Sequence, residues 1–296
     1  MKPSAWARGW GLELANWVER NQVHLGNLRA YVEAFRGRTP SPFAWFEGGT
    51  KPQFPFSPGS DRGAALLLSF CALYQGISEA TLMALLARLW SEYGTDFLRL
   101  NKLAFEDLQT RIEGHQGLGN WDIRKQAPGI LRSVCDFFFR HGSPVAWVRG
   151  VGDSEECVRI LCEEIFLMGK TSLFKSKARY FIWLLTQLPD AHAESFWTER
   201  TLLPITTGHL RFLREFGPLQ ERNSVPWRGP EEKLDYVNRF FRLLAPQAPW
   251  SAYVPLDAYL KAVEPKRTPP QWECRVALGG CLQCPLAPLC PGREEI

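Results

Sequence analysis

The sequence predicts an all-α protein of two helical lobes, and three observations predict it. Apolar residues recur at helical spacing along most of the chain. No stretch sustains the apolar–polar alternation of a half-buried strand. At 296 residues, 45% of them hydrophobic and 22% charged, the chain has an ordinary globular composition and can bury more than one core. A net charge of +4 suits a nucleic-acid partner without demanding one. The opening residues lack the apolar core of a secretory signal. The longest apolar run, 64–74, is broken by Ser69 and is too short to cross a bilayer. The expectation is a reduced, cytoplasmic, monomeric protein.

Residues 1–38 carry Trp6, Trp10, Leu14 and Trp17, then Leu25, Leu28, Val32 and Phe35, all at helical spacing. They predict two helices that pack on the body. Residues 39–60 are rich in Pro, Gly and aromatics, and read as a long ordered loop whose rings could meet a partner. Ala64–Tyr74 is apolar nearly all round and predicts a central core helix. Ser78–Tyr93 is amphipathic, with Ser78 placed as its N-cap. Asp96–Ile112 and Asp122–His141 predict two further helices. At 148–156, Gly150 and Gly152 bracket Val151, and Asp153 and Glu156 stand at capping-box spacing, so a tight turn starts a new helix. Backbone N–H groups at such a start can cradle a phosphate. Residues 186–201, with Phe196 and Trp197, read as an insertion.

Eight cysteines fall into two sets. Cys71, Cys135, Cys157 and Cys162 lie scattered in apolar helical patterns and read as small buried hydrophobes rather than as a disulfide framework. Cys274, Cys281, Cys284 and Cys290 are separated by six, two and five residues in a segment that also holds Pro285, Pro288 and Pro291. So short and Pro-rich a loop has little other way to order itself than by holding a metal centre. Four thiolates can hold a structural zinc or an iron–sulfur cluster. Zinc usually shows two C-x-x-C hooks, and only one, Cys281 and Cys284, is present.

The six-two-five spacing at the end of a helical chain resembles the [4Fe–4S] loop of the endonuclease III and adenine glycosylase family, DNA repair proteins of the helix-hairpin-helix superfamily. The order of elements agrees over roughly 60–290. Residues 66–78 resemble the family's opening helix, with Gln75 in place of the Gln that enters the duplex. Residues 117–130 resemble a later segment, with Lys125 where the family has a Lys. Residues 148–153 resemble the L-P-G-V-G hairpin, with Arg149, Gly150, Val151 and Gly152 as its DNA-facing residues. Residues 202–217 resemble the helix start that carries the catalytic Asp, and 229–246 and 255–264 the two helices after it. The resemblance implies three segments: 1–58 packing on the cluster lobe, 59–170 as a six-helix lobe with the hairpin, and 171–296 as the cluster lobe.

The departures bear on chemistry. Thr206 stands where the family carries its catalytic carboxylate, and a second alignment through 173–185 places Ser176 there instead. Ser154 stands where bifunctional members carry a Schiff-base Lys. Asp257 is the nearest substitute carboxylate, although it also reads as a helix cap. Asp153, Glu155 and Glu156 put negative charge where phosphate should sit. Compensating cations come in two stretches, Lys170, Lys175, Lys177 and Arg179, then Arg211, Arg214, Arg222 and Arg228. The resemblance therefore implies a [4Fe–4S] protein without base-excision chemistry that binds bent, damaged or branched DNA, with Gln75 as a wedge and Lys175, Lys177 and Arg211 among its contacts. Two alternatives stand beside it: a monofunctional glycosylase for an unusual base, and a cluster-bearing module that docks proteins through the 39–60 loop.

Overall fold

A computed structural model describes residues 5–35, 43, 46, 54, 56–93, 99–100, 102–115, 118, 124–169, 174–188, 201–219, 229–259, 261 and 271–290, with backbone alone for 5–12. Among the described residues the protein is all-helical, as the sequence predicts. Phe196 and Trp197, Lys170, Arg222 and Arg228, and most of the 39–55 loop lie outside the described residues. No described helix is long and apolar enough to cross a membrane.

Two compact units divide the chain, 41–204 on one side and 1–40 with 205–296 on the other. The boundaries implied by the family resemblance, at 58 and 170, thus move to 40 and 204. The reasons are local. Phe56 lies 4.4 Å from Trp90 by ring centroids, and Phe46 and Phe54 pack on Phe56. This aromatic group ties 41–58 to the unit built of 41–204.

That unit holds α3 (Asp61–Leu73), α4 (Glu79–Tyr93), α5 (Phe105–Glu113), α6 (Ala127–His141), α7 (Pro144–Val151), α8 (Ser154–Glu164) and α9 (Ser176–Thr186). Every residue of α3 from Gly63 to Leu73 is buried. Ser60 caps it by accepting from the Gly63 N–H at 3.1 Å. Helices α4, α6, α7 and α9 pack round it. Ser78 caps α4 as predicted, accepting from the Thr81 N–H at 3.1 Å. Two starts differ from the sequence reading. α5 begins at Phe105 rather than Asp96, and α6 at Ala127 rather than Asp122, where Pro128 sits in a first turn that needs no N–H from it.

α9 joins this unit because it is buried almost all round, through Ala178, Arg179 and each residue from Phe181 to Thr186. Arg179 is 6% exposed and forks onto both Glu155 carboxylate oxygens, while also donating to the carbonyls of Phe174 and Leu202. It is structural cement between α8, α9 and the 201–204 segment, not a surface cation.

The second unit holds α1 (Ala5–Arg20), α2 (Gln22–Ala34), α10 (Thr207–Glu215), α11 (Pro230–Leu244), α12 (Tyr253–Asp257) and α13 (Glu273–Leu278). Trp17 meets Phe240 edge-on at 5.8 Å, and Tyr31 stacks on Phe212 at 5.4 Å. The Tyr31 hydroxyl donates to the Pro255 carbonyl at 2.9 Å. The N-terminal helix pair therefore packs on α10, α11 and α12 of its own unit.

Replacing Arg179 with Met should leave Glu155 without its cation and lower unfolding stability by about 2–3 kcal/mol. Urea unfolding would show the midpoint falling, whereas an unchanged midpoint would mean the fork contributes nothing.

Candidate functional site

The cysteine loop begins at α13, whose end is shaped by two glycines. Gly279 has φ +72° and Gly280 φ +116°, conformations that side-chain-bearing residues rarely adopt. The Gly280 N–H bonds the Arg275 carbonyl at 2.9 Å and the Gly279 N–H bonds Val276 at 3.4 Å, a Schellman termination that turns the chain back toward Cys274. Short 3-10 turns at Cys281–Gln283 and Ala287–Leu289 then carry the rest.

All four cysteines line one cavity of about 20 Å³ with Tyr31, Tyr259, Leu278 and Leu286. None of the eight cysteines is in a disulfide. Among the described residues, no three His, Cys, Asp or Glu side chains gather as they would round a single metal ion. Burial, and then the neighbouring thiols, push the Cys284 thiol up to about 11, with a Leu286 backbone bond opposing them. Burial and the same cysteines also raise Tyr31 and Tyr259. Cys71, Cys135, Cys157 and Cys162 are buried, in keeping with the sequence reading. Burial holds Cys71, Cys157 and Cys162 in the thiol form.

A second constellation forms at the start of α10. Thr206 is its N-cap: the hydroxyl accepts from the His209 N–H at 3.2 Å, and the Thr206 N–H donates to His209 Nδ1 at 3.1 Å, so a histidine closes the capping box. With Nδ1 accepting, His209 Nε2 carries the proton and donates to the Tyr253 carbonyl at 2.8 Å. Burial lowers the His209 pKa and keeps the ring neutral. The Thr206 hydroxyl donates to Asp257 Oδ1, and the Lys261 ammonium lies 3.1 Å from Oδ2.

Asp257 is the last residue of α12 and caps no helix of its own. Its carboxylate instead stands at the N-terminus of α10, a position that favours negative charge. Burial would raise its pKa, but charge on His209 when protonated, the Lys261 ammonium and the Thr206 hydroxyl together hold it below the usual value. With His209 neutral, Lys261 and Thr206 keep Asp257 ionised near pH 7. Gly208 makes the approach possible: a Cβ there would sit 2.7 Å from the Asp257 carbonyl and 2.8 Å from Oδ1. The sequence reading had Thr206 as the uncharged residue at the family's carboxylate position and Asp257 as the nearest substitute, and the structure joins them by a hydrogen bond. His209 and Gly208 were missed, because capping by His and close approach at Gly leave no pattern of their own.

The hairpin forms between α7 and α8. Gly152 has φ +68° and bonds back to Val148, and Asp153 caps α8. Asp153 Oδ1 accepts from the N–H groups of Glu155 and Glu156 at 2.9 and 3.2 Å. The phosphate cradle expected there is thus half-filled by the protein's own carboxylate. Glu156 completes no capping box, being paired with Arg159 at 2.5 Å. Arg149, Gly150 and Gly152 are exposed and Val151 is half-buried. Ser154, in the position of the family's Lys, is buried and bonds Thr201 Oγ1 at 2.6 Å.

Of the other sequence-predicted contacts, Gln75 is exposed just past α3, Lys125 is exposed before α6, and Arg211 is exposed on α10. Lys175 is the N-cap of α9, with a left-handed φ of 47°. Lys177 is different in kind. Its ammonium donates to the Ala72 carbonyl at 2.7 Å and the Leu167 carbonyl at 3.3 Å, capping the C-terminal end of α3. Burial lowers its pKa to about 8. Arg179, as described, is buried under Glu155. Two of the four cations in the first basic stretch are therefore structural.

Compared with models of known protein families, with curated proteins and with solved structures, the chain gives no match.

Two outcomes follow from these contacts. Gly208→Ala should part α10 from α12 and cost about 1–3 kcal/mol, read as a lower thermal midpoint; an unchanged midpoint would mean the approach is looser than described. For Lys177, the folded pKa of about 8 lies below the unfolded value near 10.4, so above pH 8 the unfolded chain binds the extra proton. The stability of the wild type relative to Lys177→Met should rise from pH 8 to pH 10. A flat or falling difference would contradict it.

Proposed function

We propose that this chain is a DNA-binding protein of glycosylase-like build that carries a [4Fe–4S] cluster on Cys274, Cys281, Cys284 and Cys290. The observation that carries the reading is that these four cysteines, spaced six, two and five and none in a disulfide, line one largely apolar cavity at the end of an all-helical chain. The donor set fits the group. With one C-x-x-C hook rather than two, the spacing suits an iron–sulfur cluster better than a structural zinc. Four protein ligands leave such a cluster no open coordination position, so its role would be to order the C-terminal loop. Binding would displace the thiol protons.

On this reading the protein grips bent, damaged or branched DNA through backbone contacts, with Arg149, Lys125, Lys175 and Arg211 toward phosphate and Gln75 as a wedge. Lys177 and Arg179 are withdrawn from that role by their internal bonds. Sites that already bend easily need no base readout. The family's chemical positions, Thr206 and Ser154, carry no charge, which supports binding without base excision.

One observation favours a second reading, a monofunctional DNA glycosylase. Asp257 brings an ionised carboxylate to the N-terminus of α10, beside Thr206, and so restores the charge missing from that helix start. A carboxylate there could stabilise a cationic sugar as a base leaves. With its pKa held low it would act as a fixed charge rather than as a proton acceptor near pH 7.

A single-turnover assay separates the two readings. Protein in excess is incubated with end-labelled duplexes carrying uracil, thymine glycol, oxidised guanine, an alkylated purine, an abasic site or a junction, followed by alkali. Binding that weakens steeply with salt, without base release, supports the first reading. Release abolished by Asp257→Asn supports the second, and neither binding nor release would sink both. For the cluster, anaerobically purified protein should be brown, and Cys284→Ser should bleach it and leave the chain insoluble. A colourless, stable, folded wild type would overturn the assignment.

A further inference from the structure

The Lys177 ammonium draws together two segments distant in sequence, the end of α3 and the turn after α8, by bonding the carbonyls of Ala72 and Leu167. Three large apolar side chains stand on these segments and are turned outward: Tyr74 at 42%, Phe166 at 50% and Leu167 at 39% exposure. Each is fixed from behind. The Tyr74 ring stacks on Phe70 at 5.0 Å and 22°, so that one face is backed. Phe166 rests on the first turn of α6, where a Cβ on Gly129 would touch its ring at 3.5 Å, and its N–H donates to Ser133 Oγ at 3.0 Å. Leu167 holds a left-handed φ of 58°, which a leucine adopts only where its surroundings impose it. Rigid apolar surface displayed at a strained turn is costly to keep in water unless something covers it.

Charge indicates what covers it. Lys125 is exposed two residues before α6, the helix on which Phe166 rests, and Lys175 stands two residues before Lys177. Apolar side chains with Lys125 and Lys175 in the adjoining segments match the chemistry of a single-stranded nucleic acid, which offers flat bases and a line of phosphates at once. A buried duplex base offers no free face, and an acidic peptide offers charge but no row of flat rings. We propose that Tyr74, Phe166 and Leu167 form a stacking platform for unpaired nucleotides of single-stranded or gapped DNA, with Lys125 and Lys175 taking the phosphates. This rests on the DNA-binding reading and adds to it a site separate from the hairpin and from Asp257.

The test is fluorescence anisotropy of the full chain with a labelled oligothymidine and, separately, with a labelled blunt duplex. Leu167→Gly is the most telling variant, because glycine relieves the left-handed backbone while removing the side chain. It should fold at least as well as the wild type and bind oligothymidine several-fold more weakly. Phe166→Ala should weaken oligothymidine binding about ten-fold, as expected for one lost stacking contact, with duplex binding unchanged. Lys125→Gln should lower the salt slope of oligothymidine binding by about one ion. Oligothymidine binding untouched by Leu167→Gly and Phe166→Ala would overturn the platform while leaving duplex binding intact. Loss of duplex and oligothymidine binding in parallel would overturn it as well, since the variants would then act through the whole unit. Binding of neither probe by the wild type would remove the DNA reading together with the platform.

Discussion

A helix with no polar face can exist only where other helices cover every side, and α3 is such a helix. From Gly63 to Leu73 every residue of it is buried. That one constraint calls up α4, α6, α7 and α9 as its wall, and it governs both ends of the helix. The start is capped by Ser60. The final carbonyls, which no helix residue can satisfy, include that of Ala72, which takes the Lys177 ammonium. A lysine spent in this way is half-buried and loses basicity, and it fixes the geometry of the turn that carries Phe166 and Leu167. Local hydrogen-bond accounting at one helix end thus reaches the protein's outer surface.

Charge is used inwardly throughout this unit. Glu155 holds Arg179 and the Leu202 N–H, and Asp153 holds the first N–H groups of α8. The Arg179–Glu155 pair cancels and leaves the net charge of +4 unchanged, but it takes inward a cation that the sequence reading offered to a partner. Among the described residues, Lys125, Arg149 and Arg211 are exposed. Binding through few phosphates is weak at physiological salt unless shape or stacking adds to it. Exposed rings near Lys125 would supply that addition.

In the other unit, the polar groups converge on the start of α10 instead. Thr206, His209, Asp257 and Lys261 form one connected set in which each donor has a stated acceptor. Such a set is rigid, since removing one member leaves another buried and unsatisfied. Its persistence explains why Gly208 carries no side chain. It also gives a carboxylate a place beside a helix N-terminus although the helix itself encodes none.

By itself the sequence determined the all-α class, the buried α3, the Ser78 cap, the hairpin glycine and the cysteine spacing. These depend on neighbours along the chain: helical periodicity, capping residues and positive-φ glycines act within a turn or two. The tertiary structure alone decided which charges are internal, that Asp257 meets Thr206 across 51 positions, and that α9 belongs with 41–204. Lys175, Lys177 and Arg179 read alike as a basic run, yet burial places Lys177 and Arg179 inside the unit's own bonding. Such assignments rest on contacts between segments far apart in sequence, and no local pattern encodes which distant carbonyl or carboxylate a side chain will find.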